Sequence, residues 1–270
     1  MKILVPTDFS ELSLIAVNYA LQLAASTKSS VHLYHNATVE GPPHASMMIN
    51  LAEKILENVR YELHALAEQS KKNTHDTIEI TWEATSYTDT PKAIEQVASS
   101  TGSSMVVMGT RGKTGLSEVL LGSVSSKIAH RCSVPTLLIP HNATYSHEGA
   151  ALMAIDVFEP PATRSLELTA NVLREMNVAV NVLFARATTN DPPVFDVRKR
   201  VEETFTGVAL SFFFDQDRDP TVAVNDYVIE HKPVMLILYP GQRGLFERIA
   251  GRSVSGKIIA LSTLPVLTMP

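Results

Sequence analysis

Gly109, Gly112, Gly122 and Ser123 stand at fixed intervals and carry the clearest chemical signal in the chain. They follow an apolar run, Met105 to Met108, and lead back into periodic sequence: a buried strand, a glycine-studded loop and a helix start. Glycines let backbone amides approach a ligand closely. A helix start adds unpaired N–H groups at the positive end of its dipole, with Ser123 or Ser125 as a cap. The chemistry this suits is the binding of an anion, phosphate above all.

Two familiar phosphate loops do not fit. A P-loop ending in Gly112-Lys113-Thr114 needs glycine where Val107 stands. The spacing of Gly109, Gly112 and Gly115 never gives the G-x-G of a dinucleotide fingerprint. The pattern G-x2-G-x9-G-[S/T] fits at every interval. Other constellations are weaker. His32 and His35 fall on opposite faces of a strand by period two and so cannot share a metal. His130, Cys132 and His141 lack a zinc-ligand spacing, and no serine, cysteine or lysine has a sequence-adjacent general base.

The elements that must position the loop alternate. Lys2 to Pro6 reads as a strand, followed by a helix from Thr7 to about Ala25 with Leu12, Ile15, Ala16, Tyr19, Ala20 and Leu23 on one face. A strand from Val31 to Asn36, a helix from Met47 to Lys71, a strand from Thr77 to Ala84 and a helix opening at Thr90-Pro91 precede the Met105–Gly109 strand. A helix from Ser123 to Arg131 and a strand from Val134 to Ile139 follow the loop. Alternation of this kind predicts an α/β fold with an open, mainly parallel five-stranded sheet, order 3-2-1-4-5, and helices on both faces. Its ligand crevice lies where strands 1 and 4 part, bringing Asp8 near Gly109 and Gly122. Asp8 is equally suited to capping the first helix.

After a polar, non-periodic stretch from His141 to Gly149, read as a linker, a second copy starts. Leu152 to Asp156 answers Leu4 to Asp8, Val180 to Ala185 answers the strand ending at Asn36, and the chain's end answers Val134 to Pro140. This predicts two tandem Rossmann-like domains, 1–141 and 149–270, packed as an internal pseudo-dimer through their last strands. In the second copy Ala154-Ile155 replaces Pro6-Thr7. Pairing Gly244 with Gly112 and Gly251 with Gly122 leaves six intervening residues instead of nine, with Arg252 before Ser253, so a loop shortened by three residues is expected there.

With Ile3 to Ser10 read beside the loop, the chain resembles a tandem universal stress protein over nearly its whole length, the first copy matching the ATP-binding branch of that family. The resemblance implies that Pro6, Thr7 and Asn36 border adenine, largely through backbone atoms, and that Asp8 accepts from the ribose hydroxyls. It also implies that Met108 and Gly109 flank the sugar and first phosphate, while Gly112, Gly122, Ser123, Val124 and Ser125 wrap the triphosphate. ATP is the implied ligand, one per chain in the first copy, and Mg²⁺ can accompany the phosphates. The implied role is nucleotide-dependent regulation in a stress response with little or no catalysis, acting on an unidentified protein partner. Two alternatives stand beside it: an ATP-using enzyme, either a slow ATPase or an adenylyl transferase, and a nucleotide-free interaction protein.

Composition bounds these readings. At 270 residues, 45% hydrophobic and 19% charged, the chain suits two ordinary globular domains. A net charge of −5 offers no general field for nucleic acid or an anionic membrane. One cysteine, no leader-like start and no membrane-length apolar run predict a cytoplasmic protein, with further homodimerisation left open.

Overall fold

Runs that are apolar at every position, such as Met105 to Met108 and Leu152 to Ile155, suit strands covered on both faces, and here each lies inside one sheet between two neighbouring strands. In a computed structural model the structure describes residues 1–38, 46–75, 77–110, 122–185, 187–216, 219–239 and 264–269, with 46–51 as backbone alone. The first half comprises β1 (Lys2–Pro6), α1 (Glu11–Thr27), β2 (Ser30–Asn36), α2 (Ser46–Asn73), β3 (Ile80–Thr85), α3 (Thr90–Ser100), β4 (Met105–Gly109), α4 (Ser123–Arg131) and β5 (Thr136–Ile139). The second comprises β6 (Ala150–Asp156), α5 (Thr163–Met176), β7 (Ala179–Ala185), α6 (Pro192–Thr204), β8 (Leu210–Asp215), α7 (Pro220–His231), β9 (Leu236–Leu238) and β10 (Val266–Thr268).

The sheet order is β3-β2-β1-β4-β5-β10-β9-β6-β7-β8, which is the expected 3-2-1-4-5 written twice, tail to tail. Neighbours are parallel except β5 and β10, which pair antiparallel with Leu138 opposite Val266 and Thr136 opposite Thr268. Each of these strands would otherwise be a bare apolar edge, a template for association. Both layers of apolar packing run unbroken across the junction. On one side Val5, Val107 and Leu137 belong to the same cluster as Leu267, Ile237 and Met153; on the other, Leu4 and Leu138 join Val266 and Leu152.

Local sequence explains the helix ends. Asp89 accepts from Lys92 N–H to cap α3, and Asp219 accepts from Thr221 N–H to cap α7. Proline in the first turn of α3, α6 and α7 removes an N–H that has no helical partner there. Helix α6 starts at Pro192, because Pro192 and Pro193 fit a helix start.

The 141–149 stretch is not a free tether. Ala143 and Tyr145 pack against the first half's core, with the Tyr145 ring edge-on to Tyr19 and its hydroxyl bonded to Ser26 of α1. Their polar neighbours Asn142, Thr144 and Ser146 face a groove against α7 on the other side.

Candidate functional site

Strand β1 lies between β2 and β4, with Leu4 beside Val106, so the turn after β1 and the loop after β4 leave the sheet side by side. This is the crevice that the 3-2-1-4-5 order requires.

The turn Thr7–Ser10 is held from several directions. Thr7 N–H donates to the Tyr34 carbonyl at 2.8 Å, and its buried hydroxyl pairs with Ser13 Oγ at 2.9 Å. Thr7 Oγ1 also accepts from Phe9 N–H at 3.1 Å, and Asp8 Oδ1 accepts from both the N–H and the hydroxyl of Ser10. Helix α1 begins at Glu11, and its N-cap is Ser10, which accepts from Ser13 N–H. Asp8 is therefore not the cap. It sits two residues too early, and its carboxylate instead fixes the turn that leads to the cap. Phe9 has φ 58°, the left-handed region, which costs a non-glycine residue about 1–2 kcal/mol. Its ring stacks on His35 at 5.0 Å and 20°, while His35 Nδ1 donates to the Thr7 carbonyl at 2.7 Å.

Asn36 ends β2, and its side chain is fully engaged. Nδ2 donates to the Tyr87 carbonyl and to Thr90 Oγ1, both at 2.9 Å, while Oδ1 accepts from Tyr87 N–H at 2.8 Å and Thr85 Oγ1 at 3.1 Å. These bonds pin the β3–α3 connection to the crevice rim. Pro6, half-buried, closes β1 opposite Tyr34.

Met108 and Gly109 are buried at the end of β4, and Thr110 N–H continues the ladder to the Ile139 carbonyl at 3.0 Å. Gly112, with Arg111 and Lys113, lies outside the described residues. The chain is described again at Gly122, whose N–H donates to the Thr110 carbonyl at 2.7 Å, drawing the ends of the loop together. Gly122 itself is the N-cap of α4 and supplies no side-chain bond, so neither serine caps this helix. Ser123 is exposed, Val124 packs partly on the core, and buried Ser125 turns its hydroxyl inward to the Thr110 carbonyl at 2.6 Å. The first backbone bond closing α4 runs from Ser126 N–H to the Gly122 carbonyl, so the N–H groups of Ser123, Val124 and Ser125 have no acceptor within the helix. Such a helix start is suited to an anion.

The other polar candidates are scattered. His130 donates from Nδ1 to the Ser126 carbonyl of its own helix. Cys132 is buried in the core, where burial pushes its thiol up. Exposed His141 lies 3.6 Å from Glu11.

The second half repeats the frame and alters the site. Leu4 pairs with Val106 and Leu152 with Leu236, which puts Tyr239 in the place of Gly109. Val106 pairs with Thr136 and Leu236 with Val266, so the same span joins the last two strands in both halves. The expected shortening of the second loop is thereby corrected, because strand register, not the nearest glycine, sets the alignment. By that count Gln242 and Arg252, both outside the described residues, replace Gly112 and Gly122, while Ser253 answers Ser123. Tyr239 is buried. Its hydroxyl lies 3.0 Å from Thr169 Oγ1 and 3.1 Å from Met153 Sδ, and burial pushes its ionisation up. Asp156, the counterpart of Asp8, is only 3% exposed, whereas Asp8 is half-buried. Ala185 holds the register position of Asn36.

A sequence profile described as the universal stress protein family matches residues 1–140. The chain belongs to the universal stress protein family. A universal stress protein of Mycolicibacterium smegmatis is 27% identical over 288 residues, covering 99% of this chain and 96% of its own length, which extends the family relation to the tandem whole. One from Methanocaldococcus jannaschii is 28% identical over 151 residues, 51% of this chain and 93% of its own length. The crystal structure of a universal stress protein from Archaeoglobus fulgidus shares the fold across 98% of this chain and 97% of its own, with a TM-score of 0.69 at 21% identity. No helix among the described residues of this universal stress protein is long and apolar enough to cross a membrane.

Of the residues singled out in sequence, Pro6, Thr7, Asp8, Asn36, Met108, Gly109, Gly122, Ser123, Val124 and Ser125 gather at one edge of the first half's sheet. His35 and Phe9 also stand at this edge. Period two placed His35 opposite His32, but no sequence signal marks Phe9 as left-handed or brings it beside β2.

Proposed function

We propose that this universal stress protein binds one adenine nucleotide, ATP, in the crevice of its first half, and that occupancy sets its affinity for a protein partner during a stress response in the cytoplasm. The observation that carries the reading is the bond from Gly122 N–H to the Thr110 carbonyl beside the Asp8 turn, which places a helix start and an acceptor carboxylate at one sheet edge. An ionised carboxylate only accepts, which matches a ribose diol, and the amides of Ser123, Val124 and Ser125 match phosphate oxygens. Adenine would lie against the backbone of Pro6, Thr7 and Asn36, with Met108 and Gly109 beneath the sugar. Gly112 would complete the phosphate loop, and Mg²⁺ would accompany the phosphates.

In this reading residues 1–141 form the nucleotide-holding domain and 149–270 a companion that has lost the site through Tyr239 and the enclosure of Asp156. Mass spectrometry of ligand released by denaturing the purified protein tests it, with near-stoichiometric adenine nucleotide as the expected result. If titration calorimetry of ligand-free protein gives no heat with ATP or its non-hydrolysable analogue, the proposal is wrong.

A further inference from the structure

We infer that His35 is a positioning residue for this site, holding the Asp8 turn in its binding shape through the hydrogen bond that its Nδ1 donates; the inference rests on the reading of Asp8 as the ribose acceptor. The turn adopts a backbone that its own residues do not favour, since Phe9 is left-handed without being glycine. Strain of this kind persists where surrounding structure over-determines it, and it collects at binding sites.

His35 comes from β2, remote in sequence, and grips the turn on both sides of Asp8. Nδ1 donates to the carbonyl of Thr7, the residue before, and the imidazole stacks on the ring of Phe9, the residue after. A carbonyl oxygen has no proton to give, so Nδ1 carries the hydrogen in this arrangement. Thr7 N–H holds the start of the turn to the Tyr34 carbonyl of β2, whereas the bonds from Phe9 N–H to Thr7 Oγ1 and from Ser10 to Asp8 Oδ1 link neighbours within the turn. His35 ties them to the sheet, on the strand whose last residues border the crevice. In the second half its register position is Phe184, which cannot donate, and there the corresponding aspartate is enclosed.

Two variants separate the donor from mere bulk. His35→Leu keeps apolar volume and removes the N–H, whereas His35→Asn restores a donor near the place of Nδ1. In full-length protein, His35→Leu is expected to weaken ATP binding about tenfold by calorimetry, with His35→Asn recovering most of the loss. In ligand-free protein, amide exchange at Phe9 and Ser10 is expected to quicken about tenfold in His35→Leu and to stay near the parent rate in His35→Asn. ATP affinity unchanged in His35→Leu, or an equal loss in both variants, overturns the inference. A parent protein that binds no ATP defeats the proposed function instead, and the exchange rates then decide the inference alone: equal rates in parent and His35→Leu overturn it.

Discussion

The backbone of Gly122, at φ −63° and ψ 159°, is one any residue can adopt, so glycine is not needed there for conformation. Its value lies in the missing side chain at the start of α4. Gly122→Val is therefore expected to leave the chain folded, with an unchanged circular dichroism spectrum, and to abolish ATP binding; unchanged affinity in calorimetry would remove α4 from the site. Asp8→Ala removes an acceptor whose bonds are charge-assisted, and a loss of about 1.5–3 kcal/mol in ATP binding is expected. Asn36→Ala acts differently, since its side chain already bonds Thr85, Tyr87 and Thr90. It should lower stability by about 1–3 kcal/mol in urea titration, because the groups it satisfies lose their partner. The weakening of ATP binding would follow from a loosened rim.

Strand β2 carries the site at its end and a pH-sensitive group in its body. His32 is buried, with Nδ1 2.8 Å from Thr81 Oγ1, and desolvation holds its pKa below the ordinary histidine value despite Glu83 nearby. The unfolded chain then binds a proton that the folded chain resists. Stability contributed by neutral His32 is present above about pH 6.5 and is lost as pH falls below it. His32→Gln should flatten the dependence of unfolding free energy on pH between about 7 and 5, and an identical slope in parent and variant would assign the dependence elsewhere. The β4–β5 and β9–β10 connections depend on register in the same way. The same span joins the paired positions Val106 and Thr136 and their counterparts Leu236 and Val266, and substitutions, not a deletion, distinguish the two, with Tyr239 where the first half has Gly109.

Across the whole molecule the two halves share their cores. Leu267 of β10 is fully buried in the cluster that holds Val5 and Leu137 of the first half. Truncating it to Ala should cost about 2–5 kcal/mol and lower the unfolding midpoint of both halves together in calorimetry. If only the second half melted earlier, the junction would not couple them. A titration with a non-hydrolysable ATP analogue is expected to give one site per chain. Two sites, one of them surviving Gly122→Val, would mean that the second half binds despite Tyr239 and the buried Asp156.

The strands and helices, their alternation, the doubling of the chain and the phosphate-suited loop were legible in the sequence, because periodicity, glycine spacing and capping residues are local signals. The order 3-2-1-4-5 and the pairing of Thr136–Ile139 with the chain's last strand followed from the same signals plus the penalty on bare apolar edges. Local signals could not identify the cap of α1, since Asp8 and Ser10 are both good caps and only the path of the turn selects Ser10. Nor could they align the second loop, where glycines misled and β6–β9 register decided. His35 reaches Thr7 and Phe9, and Tyr239 reaches Met153 and Thr169, only because strands far apart in the chain become neighbours. Which side chains meet at the crevice is set by register across the sheet, a property that exists only once the sheet has formed.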